Sequence, residues 1–450
     1  MNSQWEEHQP VVILGLGYVG LTLSVVMAEM GFRVIGVEIR QEIVDLVNQG
    51  IPHFFETQME QRLKAVIEKG KLAAHREIPK NLDARNYIIT VGTPLLEDKS
   101  IRLDMIDHAA KEIAECMPDD SLVVMRSTVK VGTTRNVVCP IMKETGKKFH
   151  LAFCPERTLE GKALAELAEL PQIIGGMDKA ANLRATQIFQ RITPTIVQVG
   201  SVETAEMIKL VDNTSRDVIF AYANEIASLC DVVGANVLEV VQAGKKGYPR
   251  TNVALPGLVG GPCLTKDSYI LDQSVAGFGI RPSIIMEGRK TNEDQPVYVA
   301  NFLKPLADKF EWPEDMKVSL LGLAFKGKPA TDDLRGTMAL PVLNALKAVF
   351  PRASYWGFDQ VVSRKDTKGI GLLYAESIAQ ALEGAHLTLI VNNHSIFEQF
   401  GVSQKTRLMA IPGLVYDFWN TLNIENTQFA DGVYYISTGN HRLCLDIIDK

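Results

Sequence analysis

The chain carries no tract of lysine or arginine, and its 47 basic residues are outnumbered by 53 acidic ones, leaving a net charge of −6. A nucleic-acid footprint needs clustered basic residues, so no nucleic-acid partner is expected. No stretch approaches the ~18 consecutive apolar residues of a membrane-spanning helix, so no membrane partner is expected either. The opening ten residues, MNSQWEEHQP, hold two glutamates and no apolar run, which is not the pattern of a signal peptide. Cysteine is scarce, and Cys116, Cys139, Cys154, Cys230, Cys263 and Cys444 show no paired spacing. Reduced thiols are expected rather than a disulfide framework, as is a cytoplasmic setting with no metal site.

What remains is an ordinary globular balance, 46% hydrophobic and 22% charged, in 450 residues. That length is too great for one core and predicts two or three domains. Candidate strands are 11–16, 33–39, 87–90, 121–128, 150–154, 173–176 and 195–199, alternating with helical stretches. Several are apolar on both faces, as a parallel sheet covered by helices on each side requires. From Ser201 to about Val233 the pattern is one long helix, with Ser201 as its cap and Glu203 and Glu206 in its first turns. About 30 helical residues reach ~45 Å, enough to cross between domains. Helical segments near 237–243 and 266–274 fill the chain to about residue 310, where Trp312-Pro313 interrupts it. A second strand series follows at 317–325, 353–359, 387–392, 414–418 and 434–437. The predicted fold is α/β: two Rossmann-like doubly wound domains, 1–200 and 311–450, joined by a helical region at 201–310. Neither low-complexity sequence nor a short repeat is present.

Val11–Leu14 runs into Gly15-Leu16-Gly17-Tyr18-Val19-Gly20, a strand followed by GxGxxG and a helix. The first glycine permits the tight turn, the second lets backbone approach a pyrophosphate, and the third allows helix and strand to pack closely. The next strand ends at Glu38, near Arg40, at the distance where a carboxylate accepts from ribose hydroxyls and repels a 2′-phosphate. NAD is therefore expected as cofactor; the alternative is a plain glycine turn with an exposed glutamate. Thr93, in Val91-Gly92-Thr93-Pro94, and Thr128 lie at strand C-termini, where open α/β sheets bind ligands.

Residues 256–267, Pro-Gly-Leu-Val-Gly-Gly-Pro-Cys-Leu-Thr-Lys-Asp, form a loop that delivers Cys263 to a helix start. There the helix dipole favours a thiolate, and Asp267 shares its helix face at i+4. A thiolate beside a nicotinamide points to covalent aldehyde oxidation through a thioester; a structural cysteine in a tight turn is the competing reading. Lys209 and Asn213 share a face of the long helix, with Arg216 one step further. The segment Cys154-Pro155-Glu156-Arg157-Thr158-Leu159-Glu160 brings two carboxylates after a strand, where they could position substrate or water. On their own, these polar faces are as compatible with a solvated surface.

Taken in order, GLGYVG, VGTP, STVKVGTT, CPERTLEG, KLVDNTSRDV, YPRTNVALPGLVGGPCLTKD and GLAFKGKPATDDLRGT resemble the UDP-glucose/GDP-mannose dehydrogenase family across nearly the whole chain. The resemblance implies oxidation of a nucleotide sugar's C6 alcohol to a carboxylate for polysaccharide biosynthesis, with two NAD consumed and a thioester formed on Cys263. It implies that Lys209 stabilises an oxyanion and Asn213 holds substrate or water. Asp267 would order the hydrolytic water, with Thr128 and Glu156 nearby. Glu160 matches a carboxylate near the sugar, with Arg157, Arg216 and Gly260 in the same substrate motifs. Arg250 matches an arginine that reaches the neighbouring subunit of a homodimer built on the middle helices. Lys326 matches a lysine that contacts the nucleotide sugar in a C-terminal UDP-binding domain, and Arg335 an arginine close to the cofactor.

Two departures accompany the resemblance. Many members space that lysine and arginine by seven residues, whereas here they lie nine apart (335 − 326), so Lys328 competes with Lys326. Many relatives also carry GGHC or GGYC where this chain has Gly260-Gly261-Pro262-Cys263. The PER at 155–157 and NTSRDV at 213–218 look more like the branch acting on UDP-N-acetylhexosamines, UDP-N-acetylmannosamine or UDP-N-acetylglucosamine, than the UDP-glucose or GDP-mannose branches. A 3-hydroxyacyl or 6-phosphogluconate type dehydrogenase would share the N-terminal fold without the thiolate, and a non-catalytic nucleotide-binding protein would need neither.

Overall fold

The computed structural model describes residues 9–399, 401–422, 427–442 and 445. The expectations drawn from the first eight residues and from Cys444 lie outside the described residues. The chain forms two compact units, Met1–Asp212 with Tyr269–Arg281, and Asn213–Ser268 with Pro282–Lys450.

The first unit holds strands β1 (Val11–Leu14), β2 (Val34–Val37), β3 (Leu72–His75), β4 (Asn86–Ile89), β5 (Ser121–Met125), β6 (Phe149–Phe153), β7 (Gln172–Gly176) and β8 (Ile196–Val199). Their order across the sheet is β3-β2-β1-β4-β5-β6-β7-β8. In β1 every residue is buried. Val11 and Ile13 enter the hydrophobic cluster on one face, and Val12 and Leu14 the cluster on the other. Each such side chain contributes about 1.5–3 kcal/mol relative to exposure, which explains an uninterrupted apolar run at the centre of a covered sheet. Two features differ from the sequence expectation. The pair β6–β7 is antiparallel, with Ala152 opposite Gly176, because a strand buried on both faces has the same composition in either direction. β3 was not expected at all; its four residues, Leu72-Ala-Ala-His75, alternate between buried and half-buried and carry too weak an apolar signal.

Helix α1 (Tyr18–Glu29) follows β1 directly, and α2 (Val202–Val233) is the expected 32-residue helix. The Ser201 hydroxyl accepts from the Thr204 N–H at 3.1 Å, the cap that its position suggested. α2 begins in the first unit and continues into the second. There α3 (Val237–Lys245), α4 (Leu264–Val275) and α5 (Ser283–Lys309) follow, α4 ending in the first unit. α5 was not anticipated as one helix, since Pro296 and Pro305 lie inside it. An interior proline costs about 3 kcal/mol. Burial of Val299, Ala300, Leu303 and Leu306 in the second unit's core offsets that cost.

The second unit adds β9 (Lys317–Leu321), β10 (Ser354–Phe358), β11 (Leu373–Tyr374), β12 (Ala385–Ile390), β13 (Gly413–Asp417) and β14 (Val433–Ser437), ordered β11-β10-β9-β12-β13-β14. All pairs are parallel. The permutation repeats that of the first six strands of the other sheet, the doubly wound order that leaves a ligand crevice at the strand C-termini. Among the described residues no helix is long and apolar enough to cross a membrane.

Candidate active site

The Gly15–Gly20 turn is built as its chemistry requires. Gly15 has φ of +91°, and a Cβ there would lie 2.9 Å from the Val91 backbone. A Cβ on Gly20 would lie 1.8 Å from the Gly15 carbonyl oxygen. A Cβ on Gly17 would meet no atom within 4 Å. Gly17 caps α1 without any side-chain hydrogen bond to the first turn. Open space therefore lies beside Gly17 at a helix N-terminus, which fits a dinucleotide pyrophosphate. Thr93 Oγ1 donates to the Thr128 carbonyl at 2.6 Å, and Thr90 Oγ1 to the Gly15 carbonyl at 2.7 Å, tying the loops after β1, β4 and β5 together. Val19 stays half-buried at the start of α1.

Glu38 is buried rather than exposed, which removes the plain-turn reading. One carboxylate oxygen accepts from the Leu16 N–H at 3.2 Å, and the other from Arg40 Nε at 2.9 Å. The carboxylate thus both braces the glycine turn and holds Arg40. kcat/KM with NAD should exceed that with NADP, and Glu38→Ser, which leaves the Arg40 charge in place, should narrow the ratio by about 10–100-fold, the worth of one charged hydrogen bond. A ratio unchanged by the substitution sinks the assignment.

Beside this turn, the Tyr18 hydroxyl donates to Glu56 and accepts from the Gly161 N–H at 2.8 Å. Burial, then the Glu56 carboxylate, pushes the Tyr18 phenol up from its ordinary value. Tyr18 therefore connects the glycine turn to the loop bearing Glu156 and Glu160. That loop is fixed at its root by Arg126, which follows β5. Arg126 Nη2 donates to Glu156 Oε2 at 2.6 Å, while Nη1 donates to the Cys154 carbonyl at 3.0 Å and Gln172 Oε1 at 2.9 Å. Glu156 Oε1 accepts from the N–H groups of Arg157 (2.7 Å) and Thr158 (2.8 Å). Burial pushes the Glu156 carboxyl up, but the Arg126 guanidinium, the Thr158 amide and the Lys209 ammonium outweigh it, and the net shift is down. A carboxylate so held supplies negative charge and loop geometry rather than basicity. Arg157 reaches Asp212 at 3.3 Å and the Pro171 carbonyl at 3.2 Å, bonds within its own unit. Neither Arg126 nor Glu56 was singled out from the sequence: each stands in a strand end or loop with no local motif to mark it.

The second unit presents the cysteine. Cys263 is exposed and precedes α4, its carbonyl accepting from the N–H groups of Lys266 (3.0 Å) and Asp267 (2.9 Å). By contrast, burial pushes the Cys154 thiol up to about 12, which leaves it inert. Gly261 has φ of +96° and its N–H donates to the Gly336 carbonyl at 2.8 Å. A Cβ on Gly261 would lie 2.7 Å from the Phe325 ring, and one on Gly260 would lie 2.5 Å from the Gly336 oxygen. The GGPC segment and the 322–338 segment are thereby pressed together through glycine. Asn213 Nδ2 donates to Asp267 Oδ2 at 2.5 Å, joining α2 to α4. Asp267 is buried, and its Oδ1 accepts no hydrogen bond.

The remaining residues sort by surroundings. Lys326 is half-buried, with its ammonium over the Phe325 ring, 5.2 Å from the centroid. Lys328 is exposed and paired with Glu398 at 2.7 Å. Arg335 is exposed, next to Gly336, with Asp333 at 2.7 Å. Arg250 is exposed and stacks over Tyr248; Arg216 is exposed, unlike Asn213 on the same helix.

Comparison with known proteins settles the family. The models describing the UDP-glucose/GDP-mannose dehydrogenase family match as NAD-binding domain over residues 9–193, central domain over 203–294 and UDP-binding domain over 319–424. The chain belongs to the UDP-glucose/GDP-mannose dehydrogenase family. It is 33% identical over 416 residues to the UDP-N-acetyl-D-mannosamine dehydrogenase of Pyrococcus horikoshii, covering 89% of this chain and 94% of that one. It is 32% identical over 413 residues to the NDP-N-acetyl-D-galactosaminuronic acid dehydrogenase of Ralstonia solanacearum, covering 87% and 92%. The solved UDP-D-ManNAc dehydrogenase of Pyrococcus horikoshii superposes with a TM-score of 0.86 at 30% identity, over 96% of this chain and all of that one. As a family member, the protein is an NAD-dependent nucleotide-sugar dehydrogenase, and the glycine turn with Glu38 is the part of it that fits NAD.

Proposed function

We propose that this enzyme carries out the four-electron oxidation of a nucleotide sugar's C6 hydroxyl, R–CH2OH + H2O + 2 NAD+ → R–COO− + 2 NADH + 3 H+, through a thioester on Cys263. When bound, NAD supplies the hydride acceptor. Cys263 sulfur adds to the C6 aldehyde carbon, and Lys209 holds the resulting oxyanion while hydride departs. Water then attacks the thioester carbonyl and the Cys263 thiolate leaves. Asp267, steadied by Asn213, orders that water, and Thr128 and the anionic Glu156 serve the same step. The observation that carries this reading is the buried Asp267 carboxylate at the start of the Cys263 helix, with one oxygen on Asn213 and the other lacking a hydrogen-bond donor. An acceptor buried without a donor costs about 1–3 kcal/mol unless a ligand or water supplies one.

Glu160, Arg157, Arg216, Gly260 and Lys326 contact the nucleotide sugar, and Arg335 lies near the cofactor. The substrate class is a UDP-N-acetylhexosamine, UDP-N-acetylmannosamine or UDP-N-acetylglucosamine, in keeping with the names of the relatives. A panel of nucleotide sugars tests this: two NADH per acid from one of those two supports it. Turnover confined to UDP-glucose or GDP-mannose moves the protein to another branch, and one NADH per substrate removes the 6-dehydrogenase reading.

A homodimer completes the site. Ile219, Tyr222, Leu229, Val232 and Val233 on α2 are 46–71% exposed, an apolar surface suited to a second copy. Arg250 reaches the neighbouring subunit from its loop. Mixing inactive Arg250→Ala with inactive Cys263→Ala subunits should restore part of the activity, because some heterodimers hold one intact composite site. No recovery after verified subunit exchange places Arg250 in its own chain's site or outside any.

A further inference from the structure

We propose that Arg289, through its buried pair with Asp217, is the positioning residue for the Cys263 nucleophile, an inference that rests on the thioester reading above. Arg289 lies on α5, and its side chain is fully buried. Its Nη1 donates to Asp217 Oδ1 at 2.9 Å and to the Leu264 carbonyl at 3.1 Å, and its Nη2 donates to the Val259 carbonyl at 3.1 Å. Val259 and Leu264 bracket Gly260-Gly261-Pro262-Cys263. One planar guanidinium therefore grips both ends of the segment that carries the thiol.

Two adjacent glycines give that segment more backbone freedom than any other pair of residues would. A nucleophile displaced by about 1 Å loses as much as ~100-fold in rate, so the loop must be held by something outside itself. The remaining bonds to Asp217 complete the support. Asn292 Nδ2 donates to Asp217 Oδ1 at 2.8 Å, and Ser268 Oγ donates to its Oδ2 at 3.1 Å. Ser268 follows Asp267, so the same carboxylate fixes the turn of α4 bearing the hydrolytic carboxylate. Asn224 extends the support to the far side of the loop, exchanging two bonds with the Gly257 backbone at 2.9 and 3.0 Å and one with Asn292 at 2.8 Å. Buried ion pairs add little net stability over apolar packing of the same volume, so the consequence of this one is geometric. Lysine cannot substitute, because an ammonium lacks the rigid fork that spans a carboxylate and two carbonyls.

The test uses the full-length enzyme with Arg289→Lys, Asp217→Asn and Ser268→Ala, the last removing one bond without leaving a buried charge unpaired. Alcohol oxidation to the aldehyde does not use Cys263, whereas aldehyde oxidation does. Arg289→Lys should slow acid formation about 100-fold and let aldehyde escape, to be trapped by hydroxylamine as the oxime. The pH profile of Cys263 alkylation by iodoacetamide, followed by peptide mass, should move towards higher pH. Asp217→Asn and Ser268→Ala should shift both readouts the same way, Ser268→Ala least. The proposal is overturned if alkylation profile and acid formation stay within about twofold of the parent in the variants that fold, a difference too small for a displaced nucleophile. It is also overturned if both oxidation steps fall equally with an unchanged alkylation profile, which is the outcome of a merely structural role. Should Cys263→Ala still make acid, the thioester reading fails by itself, and the alkylation profiles still decide whether Arg289 positions the thiol.

Discussion

Cys263→Ala is expected to form no carboxylate, at least about a 1,000-fold loss, while NAD binding and the fold persist. An aldehyde has no leaving group except hydride, and sulfur addition creates the tetrahedral species from which hydride departs. Alanine removes that route, yet Cys263 is exposed and belongs to the second unit, whereas the Gly15–Gly20 turn has its own core in the first. Neither folding nor cofactor affinity should therefore depend on the thiol. Asp267→Asn keeps the shape of the Asn213 partner but removes the carboxylate charge. It should slow thioester hydrolysis more than the first oxidation, giving a burst of NADH followed by a slow phase in stopped-flow absorbance, with acyl-enzyme visible by intact mass. Near-parental acid formation by Cys263→Ala would falsify the thioester mechanism.

Arg126→Met should destabilise the first unit by about 3–5 kcal/mol, because it leaves the Glu156 carboxylate buried without its counter-ion. For a unit of this size that corresponds to a melting temperature lower by roughly 10 °C. The pH dependence gives the stronger signature. In the parent, the folded Glu156 carboxyl lies below its ordinary value of 4.5. Its stabilisation is complete above 4.5 and is lost as the pH falls through the lower folded value. With Arg126 gone, burial is the largest influence and is less opposed, so the carboxyl rises above 4.5. The dependence then reverses: the variant is most stable below 4.5 and loses stability as the pH climbs through its raised value. Thermal melts between pH 4 and 8 measure this directly, and a constant offset between parent and variant at every pH contradicts it.

Local features of this protein were legible in order along the chain. The glycine turn, the carboxylate ending β2, the Ser201 cap of α2 and the glycine-proline loop before Cys263 are each encoded within a few neighbouring residues. The turn they make depends on backbone freedom and hydrogen bonds that those residues carry themselves. Their order added the family, because seven motifs in sequence constrain far more than any one. The sequence did not reveal which way β7 runs, or that α5 continues through Pro296 and Pro305. It also did not mark Arg126 for Glu156, 30 residues away, or Arg289 for Asp217, 72 residues away. A buried charge takes its meaning from the partner it meets, and that partner is set by which helices and strands close over it. The energy of that meeting exists only once water is excluded, so tertiary structure alone decided the residues that hold this site in place.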